Sequence, residues 1–405
     1  MIKNETLNQA IPATMNAAVW GGEGTRLSVE SIPTPEPQKD EALVKIAACG
    51  VCHSDLHVMK GEVAFPLPAV LGHEISGTIV AIGEGTLRPE RAVGDRVVGA
   101  FIMPCTKCDS CAKGRDDLCE QFFKENRLRG NLLDGSSRLR RSDNSRLSMY
   151  SMAGMAEYAV VPLSALALVT DSIPLEEAAV LGCAAFTAFG AVTRAARLEA
   201  KESVAIVAVG GVGSSLIQVA RYAGAAPIIA IDISDEKLAA AKALGADYAV
   251  NSRTEDVVEV VRELTGGKGV DVAFEALGHP ATFAQAISLL GEGGRMVAVG
   301  IAAGAQTASV PITPLVRRGQ SIVGSFGART RSDLPQVVDM ARTGGYALNQ
   351  VVTRKYPLAD VQKAFTAMEN GEIQGRAIVC PEQRTPWIPD DSSHEVEDSQ
   401  PARPL

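Results

Sequence analysis

Val204-Ala-Ile-Val-Ala-Val-Gly210-Gly-Val-Gly213, followed after a helical stretch by Pro227-Ile-Ile-Ala-Ile231-Asp232, is the part of the chain on which the fold turns. The unbroken apolar run from Val204 to Val209 has the character of a parallel strand buried on both faces. Glycines follow it, then a helical pattern from Ser214 to Ala223, then a second apolar run closed by an acid. Strand, glycine turn, helix, strand, acid is the order of a dinucleotide-binding unit. The glycines let the backbone approach a pyrophosphate at the helix N-terminus, and the acid bonds the adenosine ribose hydroxyl. Gly210, Gly211, Val212, Gly213 and Asp232 are therefore candidate cofactor residues. Ala208 stands where the fingerprint Gly-x-Gly-x-x-Gly has its first glycine, yet strand, helix and acid keep their register. Ile-Ser-Asp-Glu follows Asp232, so a 2′-phosphate would meet acids, and NAD is expected rather than NADP.

The alternation continues through Glu236 to Leu244, Val270 to Phe274, Pro280 to Leu290 and Arg295 to Val299, which predicts a six-stranded, doubly wound parallel sheet. Upstream the character differs. Short strands such as Leu43-Val-Lys-Ile46, Gly77-Thr-Ile-Val-Ala-Ile82, Gly94-Asp-Arg-Val-Val98 and Ala156-Glu-Tyr-Ala-Val-Val161 lie between Gly and Pro turns. Residues 120–153 read as a surface excursion, with Arg138, Arg140 and Arg141 in a solvated loop, and Leu175 to Ala195 reads as one helix of small residues. After Gly327 the pattern is mixed again, with a helix expected at Leu334 to Arg342 and a strand at Ala377 to Cys380. Two domains suit a chain of 405 residues. The expected division is 1–184 and 327–380 for a β-rich domain, 185–326 for the nucleotide domain, and 381–405 for a disordered tail.

The β-rich part carries the metal chemistry. Cys49-Gly-Val-Cys-His-Ser-Asp-Leu-His57 and Leu71-Gly-His73-Glu74 bring thiols, imidazoles and carboxylates into one short span. Zinc prefers thiolate and imidazole ligands, and a catalytic zinc keeps three protein ligands and an open position. Cys52 and His73 would supply two, with a third from elsewhere, and Asp55 and Glu74 would stand around them. A buried cysteine and a core histidine in adjacent strands is the plainer alternative. Cys105, Cys108, Cys111 and Cys119 lie among polar neighbours, as a closed, structural zinc site requires, with an iron–sulfur cluster as its rival. Eight cysteines without an export signal point to metal rather than disulfides. A net charge of −8 argues against a nucleic-acid surface, and the small-residue stretch Ala178 to Val192 is too short and interrupted to span a bilayer, so a soluble cytoplasmic protein is expected.

Taken together and in order, Gly50-Val-Cys-His-Ser-Asp55, Gly72-His-Glu74, the four-cysteine lobe 105–119, Leu181-Gly-Cys183 and the Gly210 turn resemble the zinc-dependent medium-chain alcohol dehydrogenases. Asp134-Gly-Ser-Ser-Arg138 resembles their dimeric liver-type and class III branches. The resemblance implies a Rossmann domain plus a chaperonin-10-like β-rich catalytic domain built from both ends of the chain. It implies a catalytic zinc on Cys52, His73 and Cys183, two zinc ions per chain, and a homo-oligomer, with a dimer favoured. It further implies that Ser54 passes the alcohol proton through the cofactor ribose to His57, with Glu74 behind the zinc. His53 and Arg376 are implied near the pyrophosphate, and Lys237, Val299 and Phe326 join them as candidate cofactor contacts. Phe101 is a candidate for the substrate pocket. The expected activity is reversible hydride transfer between a primary alcohol and its aldehyde. Alternatives are a glutathione-dependent formaldehyde dehydrogenase, a polyol dehydrogenase, or a metal-bearing binding protein without turnover. Cys119-Glu-Gln-Phe-Phe123 offers rings where the glutathione-dependent branch uses an arginine, so neutral, apolar alcohols are expected without need of glutathione.

Overall fold

The computed structural model describes residues 11–86, 91–302, 304–383 and 385. Apart from residues 381–383 and 385, the expected tail lies outside them. Six parallel strands form the nucleotide-binding sheet: β1 Val204–Val207, β2 Ile228–Asp232, β3 Tyr248–Asn251, β4 Val270–Glu275, β5 Leu290–Ala298 and β6 Ser321–Gly324. Their spatial order is 3-2-1-4-5-6, every neighbouring pair parallel. That is the doubly wound order, in which the direction of strand addition reverses between β1 and β4 and leaves a ligand crevice at their carboxyl ends. The sequence reading places β1, β2, β4 and β5 but names neither outer strand. The reason is physical: Tyr248 and Ala249 are exposed, and β6 is an edge strand without a buried residue, so neither has an apolar run.

The helix after β1, Gly211–Tyr222, begins three residues earlier than its side-chain pattern suggests because the glycines themselves form its first turn. Ala208 adopts φ +71°, a left-handed conformation that costs an alanine roughly 1–2 kcal/mol. The turn is held there by a close approach, since a Cβ on Gly213 would lie 2.1 Å from the Ala208 carbonyl oxygen. A glycine at 213 is thus obligatory, whereas one at 208 would only relieve strain.

The β-rich part centres on strand Glu41–Gly50, which pairs antiparallel with Ile75–Ile82, Tyr158–Pro162 and Arg376–Cys380. Arg376–Cys380, from the far end of the chain, also pairs parallel with Val352–Pro357. Strands from before and after the nucleotide-binding sheet therefore share one seven-stranded sheet, while Thr14–Trp20 and Leu27–Pro33 lie in a separate five-stranded one.

Two local expectations need correction. The stretch Leu175 to Ala195 is not one helix: a 3₁₀ segment, Glu177–Gly182, gives way at Cys183 (φ −133°, ψ −74°) to the α-helix Ala184–Gly190 and a π-turn to Ala196. The break occurs because the Gly182 carbonyl accepts the Phe101 N–H instead of continuing the helical ladder. This stretch is long and apolar enough to cross a membrane but is largely buried within the protein. Nor is 138–141 simply solvated. Arg138 is buried and clamps Glu41 (2.7 and 2.9 Å) and Asp134 (2.8 Å), and Arg141 pairs with Glu30 at 2.7 Å, leaving only Arg140 exposed. The carboxylates that draw these arginines in come mostly from strands about a hundred residues away, which local composition does not reveal.

Candidate active site

Three chain segments converge at the mouth of the crevice. Strand Glu41–Gly50 runs into helix His53–Met59, placing Cys52 at the helix N-cap. His73 and Glu74 precede strand Ile75–Ile82, and Cys183 sits at the helix break. The donor atoms of Cys52, His73, Glu74 and Cys183 all lie within 4.8 Å of one another. The His73 Nδ1–H donates to Asp55 Oδ1 (3.2 Å), which also accepts the Gly72 N–H (3.0 Å). That bond turns Nε2 toward the sulfurs, the orientation a metal-ligating imidazole needs. The Cys183 thiol donates to the Cys52 sulfur and His73 stands beside it, so Cys52 lies well below the usual thiol range while Cys183 is pushed well above it. Two sulfurs sharing one proton must release it to bind a cation as thiolates, which couples metal uptake to proton loss. The donor chemistry, S₂N with a carboxylate at hand and buried surroundings, fits zinc.

Behind this set Glu74 pairs with Arg376, and burial pushes its carboxyl up to about 7 against the pull of that guanidinium. Arg376 also donates to the Val51 carbonyl (3.3 Å). Its Nη1 lies 2.8 Å from where a Cβ on Gly211 would be, so it roofs the glycine turn. Metal set and dinucleotide turn are thus joined by one ion pair.

The remaining candidates divide. Ser54 Oγ stands 3.7 Å from Cys52 Sγ. His57, three residues along the same helix, is half-exposed with Nδ1 bonded to Glu62, a partner the sequence reading missed. His53 and Lys237 are exposed. Val299 is buried at the end of β5. Phe326 packs on Phe101 and Phe123 (both 5.4 Å between centroids), which sets it among the rings near His73. Phe101 and Tyr150 lie 6.2 and 5.7 Å from the His73 ring. Asp232 is buried and its carboxylate accepts from the Val209, Ile233 and Ser234 N–H groups (2.9, 2.7 and 3.1 Å), so it fixes the glycine turn. Asn251, paired with Asp232 in register, is followed by Ser252 and the exposed Arg253, a cation outside the stretch from which NAD was expected.

In the second cluster Cys105, Cys108, Cys111 and Cys119 also lie within 4.8 Å of one another. Lys107 and Cys108 N–H groups donate to Cys105 Sγ (3.4 and 3.3 Å), and Cys105 and Phe122 N–H groups to Cys119 Sγ (3.2 and 3.5 Å). Backbone donors aimed at sulfur suit thiolates in a closed site. Arg331 docks this lobe onto helix Thr330–Arg342 through Asp116 (2.6 Å) and the Cys111 carbonyl (2.6 Å).

Residues 38–171 match the family model of the alcohol dehydrogenase GroES-like domain, and residues 211–343 that of the zinc-binding dehydrogenase. The chain belongs to the zinc-dependent medium-chain alcohol dehydrogenase family. It is 36% identical over 369 residues to the "Probable S-(hydroxymethyl)glutathione dehydrogenase 1" of Schizosaccharomyces pombe, covering 89% of this chain and 95% of the relative. Among solved structures it is similar to an alcohol dehydrogenase zinc-binding domain protein from Burkholderia ambifaria (TM-score 0.85, 35% identity, 91% and 98% of the two chains). It is also similar to the benzyl alcohol dehydrogenase of Acinetobacter calcoaceticus (TM-score 0.84, 32% identity, 91% and 99%). The protein is thus an alcohol dehydrogenase of the zinc family, with a GroES-like domain beside a parallel α/β sheet, served by zinc and a pyridine nucleotide.

Proposed function

We propose that this alcohol dehydrogenase interconverts primary alcohols and aldehydes with NAD, acts on substrates with an apolar or aromatic body, and needs no glutathione. The observation that carries the substrate reading is the run of rings around His73: Phe101, Tyr150, Phe186, Phe326 and Phe123, each within about 6 Å of the next or of His73. Phe123 supplies a ring at the position where a cation would favour a charged thiol adduct. Cys52, His73 and Cys183 would hold the catalytic zinc, with Glu74 behind them, and the four-cysteine lobe a second, structural one. A zinc there supplies Lewis-acid polarisation of the substrate oxygen, and the nicotinamide supplies the hydride chemistry. Ser54 takes the alcohol proton and His57, held by Glu62, releases it at the surface. Asp55 fixes the His73 ring. Gly210, Gly211, Val212, Gly213, Asp232 and Arg376 cradle the dinucleotide, with His53, Lys237 and Val299 at its margins.

The division into 1–184 with 327–380 against 185–326 accompanies this reading. So does a homodimer: β6 is an open edge strand, and Ile301, Ile312 and Val316 beside it are more than half exposed. A soluble cytoplasmic enzyme with neither nucleic-acid nor membrane partner agrees with the charge of −8. Arg253 favours a second reading in which NADP is also accepted. Rates with NAD and NADP, on benzyl alcohol, medium-chain alcohols, and formaldehyde plus glutathione, test both. Turnover confined to the glutathione adduct, or faster with NADP at equal concentration, would overturn the proposal.

A further inference from the structure

Helix Thr330–Arg342 ends in Thr343-Gly-Gly-Tyr346, a turn that brings the chain back onto the dinucleotide helix Gly211–Tyr222. Gly344 takes φ +81° to make the turn, and Gly345 has no Cβ where one would lie 2.4 Å from the Tyr222 ring. Tyr346 is then buried with its hydroxyl 2.8 Å from Ser215 Oγ, and the Ala347 N–H donates to Gln218 Oε1 (2.8 Å). Ser215, Gln218 and Tyr222 stand at i, i+3 and i+7, so one face of the helix receives residues 345–347. The direction of the buried hydroxyl bond follows from counting protons. Ser215 Oγ–H is committed to the Gly211 carbonyl (2.9 Å), so Ser215 accepts and Tyr346 donates. Burial pushes the Tyr346 phenol up to about 12, so it keeps that proton throughout the neutral range. Tyr346, Ser215 and the Gly211 carbonyl thus form one series of bonds running into the glycine turn, each polarising the next.

We infer that Tyr346 is a positioning residue for the cofactor: through Ser215 it holds the first turn of helix Gly211–Tyr222 in place beneath Arg376, so that turn and guanidinium meet the dinucleotide pyrophosphate together. The inference rests on the reading of that turn as the nucleotide site. Gly211, whose carbonyl ends the series, is the same residue that Arg376 roofs. Arg376 in turn pairs in register with Val352, six residues after Tyr346. Two neighbouring segments therefore grip one helix, at its N-terminus and along one face. The N-terminal N–H groups of that helix are the ones a phosphate would meet, so a shift of its first turn is felt in nucleotide affinity. Tyr346 acts through the helix, and its loss should leave the metal set and the alcohol pocket as they are. A lone tyrosine 131 positions from its partner carries no local signal, which is why the sequence does not single it out.

The test is calorimetric titration of NADH and NADPH into the zinc-loaded full chain, below the unfolding midpoint of each variant. Tyr346→Phe keeps the ring and removes one neutral bond, and should weaken binding about 3- to 10-fold. Ser215→Ala should be worse, about 10- to 100-fold, because it leaves a buried phenol without an acceptor; the double variant should return to the level of Tyr346→Phe. Gln218→Met removes the second tie and should weaken binding about 10-fold, an independent reading should Ser215→Ala fail to fold. Both nucleotides carry the pyrophosphate, so each variant should weaken them by the same factor. KM for benzyl alcohol at saturating cofactor and the zinc content should not change. A tyrosine with a merely structural role would lower the unfolding midpoint and leave nucleotide binding by the folded protein unaltered. Tyr346→Phe binding both nucleotides as tightly as wild type, or losing alcohol and nucleotide affinity equally, overturns the inference while the nucleotide reading stands. A loss confined to one nucleotide overturns it too, placing the effect at the adenosine ribose. A wild type that binds neither nucleotide overturns the reading and the inference together.

Discussion

Replacing Arg376 by glutamine should leave the Glu74 carboxylate buried without its partner, and the consequence can be sized from the geometry. Glu74 is fully buried and Arg376 is 6% exposed, so solvent can do little to compensate. Glu74 Oε2 already lacks a hydrogen-bond partner, and Oε1 depends on the Arg376 guanidinium. Removing one member of such a buried pair costs about 3–5 kcal/mol, a large share of the roughly 5–15 kcal/mol that holds a typical domain folded. Glu74→Gln alone should cost a comparable amount by stranding the guanidinium against the Val51 carbonyl. The double variant removes both charges, and should recover about 1–3 kcal/mol relative to the sum of the singles. Urea unfolding of the zinc-loaded protein, followed by circular dichroism, measures the cycle. NADH affinity should behave differently: Arg376 roofs Gly211, so affinity should fall in Arg376→Gln and stay low in the double variant. Singles within about 1 kcal/mol of wild type, or strictly additive losses, would refute the idea that this pair joins the metal set to the nucleotide turn.

Metal analysis should find two zinc ions per chain; a single ion, or iron with visible absorbance, would contradict the two-site assignment. Cys105→Ser should lower folding stability because a closed site's binding energy is folding energy, whereas Cys183→Ser should keep the fold and lose turnover. His57→Gln should reduce turnover most at or below neutral pH, where solvent base is scarce, and Glu62→Gln should do so more weakly; a loss uniform across pH 6–9 would assign His57 a structural role. Asp232→Ser with Ile233→Arg should shift preference from NAD toward NADP. Because Asp232 also accepts three backbone N–H bonds, the pair should lower the unfolding midpoint too, and an unchanged midpoint would show that those bonds contribute little.

What the sequence reveals here is what depends on local spacing. The glycine turn and the four-cysteine lobe are short motifs whose chemistry needs those residues at those intervals, and the parallel strands that bury both faces advertise themselves as apolar runs. Cys183 is different. Nothing local marks it as a ligand, since its approach to Cys52 depends on a helix broken by a hydrogen bond from Phe101, some eighty residues away. Arg138 on Glu41 and Arg331 on Asp116 were illegible for the same reason: an arginine tied to a buried carboxylate reads as any surface one until that distant carboxylate is known.

Arg376 shows how far this dependence on distant partners reaches. Its strand is recognisable, but its position in that strand, two residues before Ile378 pairs with Gly50, is what sends the guanidinium between Glu74 and Gly211. A shift of one residue in that pairing would turn the side chain to the opposite face of the sheet and separate the metal set from the nucleotide turn. The strand Arg376–Cys380, last among the described residues, therefore does more than join Glu41–Gly50 to Val352–Pro357. By its register it couples two sites that the sequence presents as independent motifs. A disturbance confined to that register, such as a one-residue deletion between Gly371 and Gly375, should impair nucleotide binding and metal retention together although it touches no residue of either motif. Loss of one function with the other intact, measured by NADH titration and zinc content, would show that the two sites assemble separately.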